Sequence, residues 1–439
     1  MKGKIKGFTL VELLAVIVIL SVILVIAVPQ IMNVIENTKI GSMESTAKLI
    51  AKSAERVYTE KEILGESLDN LNCSDVAKIN DEDYDTCEIK IIEDKAIVNI
   101  VGKGRFAGKY INNGTKEFAN VTEYRGDTLA TTVLINSNEL IPDETSDKNL
   151  RYTGLSPKNY VTFNGELWRI LGIFNVSNGS KVEQRVKIVR DALPKTYSWD
   201  SSESTENRGY GYNIWETIEG TTKSETDTST KADLNILLND YYYNKEDVDN
   251  TCYNGEDAAT RTCNFSDIGL NAEAKNLIEE AVWNIGGNEY NPSTDPFGLN
   301  LGLQYIAERG TSVNSPNITQ TSWKGNIGLP YASDFGYAST DVGCRGDLRS
   351  GVTYVNDAYV TSNASCKVNN WLYTSSWYWT FSPYLGSLQG VFVVRGSGFI
   401  DNYGACSAGG VKPTVYLKTN VKIIVGTGEE NDSYQLSIS

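Results

Sequence analysis

Residues 8–28 read FTLVELLAVIVILSVILVIAV. Apart from Glu12 the run carries no charge, and it meets the ~20 residues a helix needs to cross the hydrocarbon core of a bilayer. Lys2, Lys4 and Lys6 precede it, which holds the N-terminus on the cytoplasmic side. A cleaved secretory signal is the alternative, but no small-residue cleavage site follows the apolar run. Instead Pro29 opens a polar continuation, QIMNVIENTKIGSMESTAKLIAKSAERVYTEK. Within it Ile31, Val34, Ile35, Ala47, Ile50, Ala51, Ala54 and Val57 recur at helical spacing, with Gly41 a point where the helix can bend. One helix over 8–61, about 80 Å if unbroken, is expected, its membrane part at 8–28 and its second half presenting an apolar stripe to a folded head.

Glu12 is the anomaly. A carboxylate in a membrane helix costs about 2.5–3.5 kcal/mol on insertion scales and needs a partner. Nothing basic lies in the run, but cleavage after Gly7 would turn Phe8 into a new α-ammonium. The stretch KGFTLVELLAVIVIL resembles the type IV prepilin signal: a basic leader at 1–7, Gly7 before the cut, Phe8 as the mature N-terminus, Glu12 four residues on, and Pro29 as the family's helix-kinking proline. The resemblance implies cleavage and methylation by a prepilin peptidase. It also implies that Glu12 pairs with the Phe8 amine of a neighbouring subunit, a desolvated pair whose loss would be severe.

The fold class expected is α+β. The long N-terminal helix carries a small antiparallel β head over 62–125. Within it CEIKIIEDKAIVNIVGKG gives strands at 88–92 and 96–101 around a turn at 93–95. Asp81, Glu82, Asp83 and Asp85 form an acidic cluster without the spacing or glycine of an EF-hand, so a solvated loop is favoured over a cation site. Residues 126–150, with NSNELIPDETSDKN, are expected to be a linker. A large mixed domain follows over 151–439. All eight tryptophans, Trp168 to Trp379, lie in it, a shift in composition that argues for a separate domain.

In that domain Asn164-Gly165, between YVTF and ELWRILGIF, signals a tight hairpin, and KVEQRVKIVRDAL reads as a further strand. The Ser/Thr-rich stretch 198–233 reads as a long surface loop. Helices are expected in KADLNILLNDYYY, in NAEAKNLIEEAVWNIGG up to a Gly286-Gly287 stop, and in LGLQYIAERG. NIGLPYASDFGYAST, WYWTFSP, GVFVVRG and VKPTVYLKTNVKIIV read as irregular and β-rich.

Seven cysteines and no CxxC leave little for zinc or thiol redox chemistry. Local pairing gives Cys73–Cys87, Cys252–Cys263 and Cys344–Cys366, with Cys406 left over; an exported chain favours disulfides over reduced thiols. With no histidine at all, Ser-His-Asp and Cys-His catalysis and every His-containing metal site are excluded. The formal charge of −15 and the absence of a basic stripe argue against nucleic acid as a partner. Asp334, Asp341 and Asp347 are available for acid/base work, but nothing in the sequence places two of them together, and solvated loops are the favoured reading. GKGRFAG lacks the strand–helix context of a phosphate loop.

The stretches NYVTFNGELWRILGIF, KGNIGLPYASDFGYA, NNWLYTSSWYWTFSP and GVKPTVYLKTNVKI make the second domain similar to a head found on exported bacterial proteins. Its end, WTFSP…GVFVVRGSGFIDNYGACSAGGVKPTVYL, resembles C-type-lectin-like folds, including the formylglycine-generating-enzyme group, with Lys412 where that pattern has arginine. A fold resemblance does not carry function with it. An oxidase of that group would need a thiol pair involving Cys406. The calcium-lectin tripeptides EPN and QPD are absent, and Asn369-Asn370-Trp371 is only faintly like the other ligand triplet. The resemblance implies a ligand face with Tyr384, Arg395, Asp401, Asn402 and Tyr403, the alternative being an inert solvated rim. For Trp371, Trp377 and Trp379 core packing is the favoured reading.

Together these readings imply a minor or tip subunit of a type IV pilus-like filament, displaying an adhesive head. A pseudopilin of a secretion or DNA-uptake machine is the runner-up, and a pilin-anchored surface enzyme the third class. No catalytic residue, metal or cofactor is assigned. The expected partners are prepilin peptidase, other pilins with their assembly machinery, the membrane, and a surface glycan or protein. The expected location is the cell membrane and then the extracellular filament.

Overall fold

Helix α1, Leu10–Leu64, runs through both Pro29 and Gly41 and ends at Gly65, whose left-handed φ of 69° closes it. The computed structural model describes residues 10–65, 71–80, 82–92, 94–126, 128–201, 211–217, 221–223, 229–245, 247–253, 260–290, 298–310, 321–355, 358–361 and 364–438. Gly7 and Phe8 lie outside the described residues, as does the side chain of Glu12. Among the described residues no helix is long and apolar enough to cross a membrane. The chain divides into two units, 1–126 and 127–439.

In the first unit the two halves of α1 have different fates. Leu14, Val18, Ile31, Met32 and Val34 stay exposed, whereas Met43, Ala47, Ile50, Ala51 and Ala54 are shut off from solvent. That buried stripe lies on a four-stranded antiparallel sheet of β1 (Tyr84–Ile92), β2 (Lys95–Gly102), β3 (Lys109–Gly114) and β4 (Val121–Glu123), paired in chain order. Val98, Ile100, Phe106 and Ile111 fill the other side of this core. Alternation along β2 puts Ala96, Val98 and Ile100 on one face. Helix carboxylates finish the docking. Glu44 accepts from Val121 N and Glu55 from Ala96 N, both at 3.3 Å, Glu55 also holds Lys116 at 2.8 Å, and Glu36 pairs with Lys109. The β1–β2 turn is shorter than expected, with Ile92 opposite Lys95 and Asp94 left-handed at φ 62°. Short helix α2 (Cys73–Val76) is joined to β1 by the Cys73–Cys87 disulfide. The acidic cluster is not uniformly solvated. Asp83 is buried and paired with Arg105 at 3.0 Å, while Glu82 and Asp85 are exposed and Asp81 lies outside the described residues.

The second unit begins earlier than the expected linker allows. Residues 128–150 carry helix α3 (Ala130–Asn136), whose Ala130, Val133 and Leu134 enter the core, and strands β5 (Ile141–Pro142) and β6 (Leu150–Arg151). The apolar run LATTVLI, just before the polar NSNELIPDETSDKN, supplies these anchors. The main sheet is built on β7 (Tyr160–Phe163), β8 (Glu166–Ser177) and β9 (Val182–Arg190). Asn164 and Gly165, at φ 58° and 77°, make the expected tight turn, with Phe163 opposite Glu166. β8 is long enough to pair with β7 on its first half and β6 on its second, while β9 takes its other edge. Ile327–Gly328 and Thr414–Tyr416 extend the sheet beyond β9; Tyr434–Ile438, parallel to β7, and Val421–Val425 extend it beyond β7.

Rings dominate this core. Phe381 lies 4.7 Å from Trp215 and 5.4 Å from Trp283, and Trp199 lies 5.1 Å from Trp215. Trp199 and Trp215 come from the stretch expected to be a surface loop. Its described parts are largely buried, with Lys223 bonded to Asp200 at 2.6 Å inside. The expected helix over 271–287 is split. Asn271 caps a short helix, Ala272–Leu277, and Ala281–Asn284 is a strand paired with Ser322–Gly325. Val282 and Trp283 favour a pleated surface. Conversely Ala332–Ala338, expected to be irregular or β, is a helix. Cys252–Cys263 and Cys344–Cys366 are the disulfides that local spacing gave.

Candidate ligand cleft in the second unit

The β7–β8 hairpin sets Tyr160 directly opposite Arg169, and β9 sets Val189 on Arg169's other side. Because side chains alternate, Trp168 and Ile170 go into the core and Leu167 and Arg169 face out. A second segment, 369–374, closes over this outer face. It is fixed by Asn370, which is buried, donates to Phe335 O and Cys366 O at 2.9 and 2.7 Å, and accepts from Leu372 N. Trp371 Nε1 donates to Tyr152 O at 2.9 Å and Tyr373 Oη to Gly396 O at 2.8 Å. A third segment brings Lys412 beside Asp191, with its Nζ 2.7 Å from the carboxylate.

The result is a cavity of about 390 Å³ among Tyr160, Arg169, Trp371, Tyr373, Lys412 and Glu430, in the size range of small-ligand sites. The Arg169 guanidinium lies between two rings, 3.9 Å from the centroid of Tyr160 and 4.8 Å from that of Trp371. Its Nε donates to Asn159 Oδ1 at 2.6 Å, while its buried Nη2 has no acceptor among the described residues. Burial lowers the Arg169 pKa, opposed by the neighbouring Tyr160 hydroxyl and the Glu430 and Asp191 carboxylates; a guanidinium stays protonated regardless. Burial likewise lowers Lys412, against Asp191. Chemically the cleft offers a held cation with a spare N–H, a second cation, aromatic walls and two acceptor carboxylates.

Arg169 and Tyr160 were not singled out from the sequence. The available signal was an arginine at an outward position of a hairpin whose inward neighbours are Trp168 and Ile170. Of the Asn369-Asn370-Trp371 triplet, Asn370 is a scaffold residue and Trp371 lines the cleft.

The expected ligand face is divided. Arg395, Asp401 and Tyr403 come together: Asp401 is buried between Arg349 and Arg395, each at 2.9 Å, and Arg395 lies 4.7 Å from the Tyr403 ring. Tyr384 packs on Phe392 at 5.5 Å, and Phe392 is opposite Asn402. Alternation places that pair on the other face from Asp401 and Tyr403. Asp401 is thus a structural counter-ion. Trp379 is core; Trp377 is half-buried against Trp379 and Tyr403.

The three aspartates considered for acid/base work are not solvated loop residues. Asp334 is buried in ion pairs, Asp341 caps the helix Val342–Gly346, and Asp347 accepts from Leu299 N and Arg349 N. Cys366 is committed to Cys344, which removes it as a thiol partner for the buried Cys406.

Residues 2–28 match the family model of the prokaryotic N-terminal methylation motif, a span that takes in Gly7, Phe8 and Glu12. No curated protein and no solved structure matches the chain. The motif indicates a type IV pilin-like or pseudopilin-like protein, and implies processing by a prepilin peptidase, membrane insertion and assembly with other pilins.

Proposed function

We propose that this protein is a minor or tip subunit of a type IV pilus-like filament, and that its second unit, read as C-type-lectin-like, is an adhesive head outside the shaft. The observation that carries the reading is the methylation motif with Glu12 inside its apolar run. Cleavage after Gly7 gives Phe8 a charged amine, and Glu12 of one subunit neutralises that of the next. The exposure of Leu14, Val18, Ile31 and Val34 supports it: the first half of α1 keeps its apolar surface for lipid and then for the helices of other pilins. A head of this size would crowd every neighbour in a uniform shaft, which favours a minor or terminal position.

The test is Glu12→Ala with the mature N-terminus sequenced. Leader removal at Phe8 persists, while the chain disappears from sheared filaments. Normal incorporation of the variant, or a mature start other than Phe8, removes the basis of the reading. A pseudopilin instead predicts lost cargo export on deletion.

A further inference from the structure

Every described arginine side chain in the second unit except one has a carboxylate within 4.0 Å. Arg151 has Asp143 and Asp334, Arg185 has Glu183, Arg190 has Glu166, Arg309 has Asp147, Arg345 has Glu144, and Arg349 and Arg395 share Asp401. Arg169 is the exception. A partly desolvated guanidinium with no carboxylate in contact is costly, yet this one is held firmly between two rings and by Asn159. Such rigidity fixes a guanidinium that lines a cavity and whose buried Nη2 has no hydrogen-bond acceptor among the described residues.

We propose that the Arg169 cleft binds the carboxylate of an acidic sugar, a uronate unit of a surface glycan. This rests on the reading of the second unit as a displayed ligand-binding head. A carboxylate in the cleft supplies the charge-assisted partner that the Arg169 guanidinium lacks, with Lys412 as a second cation near enough to feel Arg169's charge. The rest of the lining selects between acidic ligands. Asp191 and Glu430 are acceptors at the cleft that repel a polyacidic peptide but take hydrogen bonds from sugar hydroxyls. Tyr373 and Trp371 supply the flat apolar surface that a sugar ring covers.

The test is isothermal titration of the detergent-solubilised full chain with D-glucuronate, D-glucose and an acetylated tri-glutamate peptide. Glucuronate is expected to bind saturably, about tenfold or more tighter than glucose, the size expected for a hydrogen bond to a charged group. Arg169→Gln is expected to abolish that preference. Leu167→Trp, a change at an exposed residue on the cleft rim, is expected to block binding without disturbing Arg169. Arg395→Gln, on the face the sequence pointed to, is expected to leave binding intact. Equal binding of glucose, retention by Arg169→Gln or by Leu167→Trp, or loss through Arg395→Gln overturns the assignment, as does tighter binding of the peptide. Filament entry separates this from the parent reading. Absence of glucuronate binding in a chain that enters filaments normally defeats the cleft alone.

Discussion

The Lys187 ammonium sits 2.6 Å from one oxygen of Asp334, and neither side chain reaches solvent. Arg151 Nη1 takes the other oxygen at 2.7 Å, and its Nε is 2.7 Å from Asp143. Asp334 also accepts from Tyr331 N at 3.0 Å at the start of its helix. Burial alone would raise the Asp334 pKa, but Lys187 and Arg151 hold it well below its ordinary 3.8. Asp334→Asn leaves two buried cations short of a counter-ion and is expected to cost about 3–5 kcal/mol. Tryptophan fluorescence in a denaturant titration reads this unit alone, since every tryptophan lies in it. The unfolded carboxyl binds protons more readily than the folded one. Its contribution is therefore complete above about pH 4 and is lost as pH falls below that. Wild type should lose stability between about pH 4 and pH 2 more steeply than Asp334→Asn; parallel curves would refute the assignment.

Two glycines of β8 and its hairpin should respond differently to alanine. Gly165 has φ 77° and nothing near an added Cβ, so only backbone strain is at issue, about 1 kcal/mol. At Gly172 a Cβ would meet Leu150 O at 2.0 Å, where β6 crosses a bulge in β8. Gly172→Ala must push two strands apart, for about 3 kcal/mol or more. Comparing the two denaturation midpoints checks this, and an equal loss would mean β6 is not seated as described.

The hairpin was legible because Asn-Gly specifies its own turn, and the second half of α1 because Ala47, Ile50, Ala51 and Ala54 repeat on one face. Residues 271–287 were not, since an apolar run of that length suits helix and strand alike until a partner, here Ser322–Gly325, decides. Nor was the burial of 211–217, where Trp215 overrides polar neighbours. The cleft was the least legible part. Arg169, Trp371 and Lys412 are far apart in the chain, and only the pairing of β7 with β8 and the anchoring of Asn370 bring them together. The motif at Gly7 and Phe8 was readable because its chemistry is local.

Cys344–Cys366 closes a loop with a sequence separation of 22 and ties the helix Val342–Gly346 to the segment carrying Trp371. Cys344→Ser with Cys366→Ser should destabilise the second unit by about 3 kcal/mol through the loop entropy regained on unfolding. Because that segment roofs the cleft, glucuronate binding should weaken as well. Thermal unfolding of the double variant beside wild type measures the first effect, and an unchanged midpoint would argue that the bond is not formed.

In the first unit the helix face against the sheet sets three alanines among Met43 and Ile50. Ala47, Ala51 and Ala54 are fully buried, so each has packed neighbours where a longer side chain would go. Ala51→Leu forces side-chain volume into that filled space, for about 1–3 kcal/mol. Leu49, two residues earlier and so on the opposite side of the helix, is 56% exposed, and Leu49→Ala should change stability by no more than about 0.5 kcal/mol. Fluorescence is blind here, as the unit holds no tryptophan. Amide exchange at Ile100 and Ile111 is the readout, with protection expected to fall about tenfold in Ala51→Leu and to hold in Leu49→Ala. Equal protection in both variants would mean that the sheet does not rest on this face of α1.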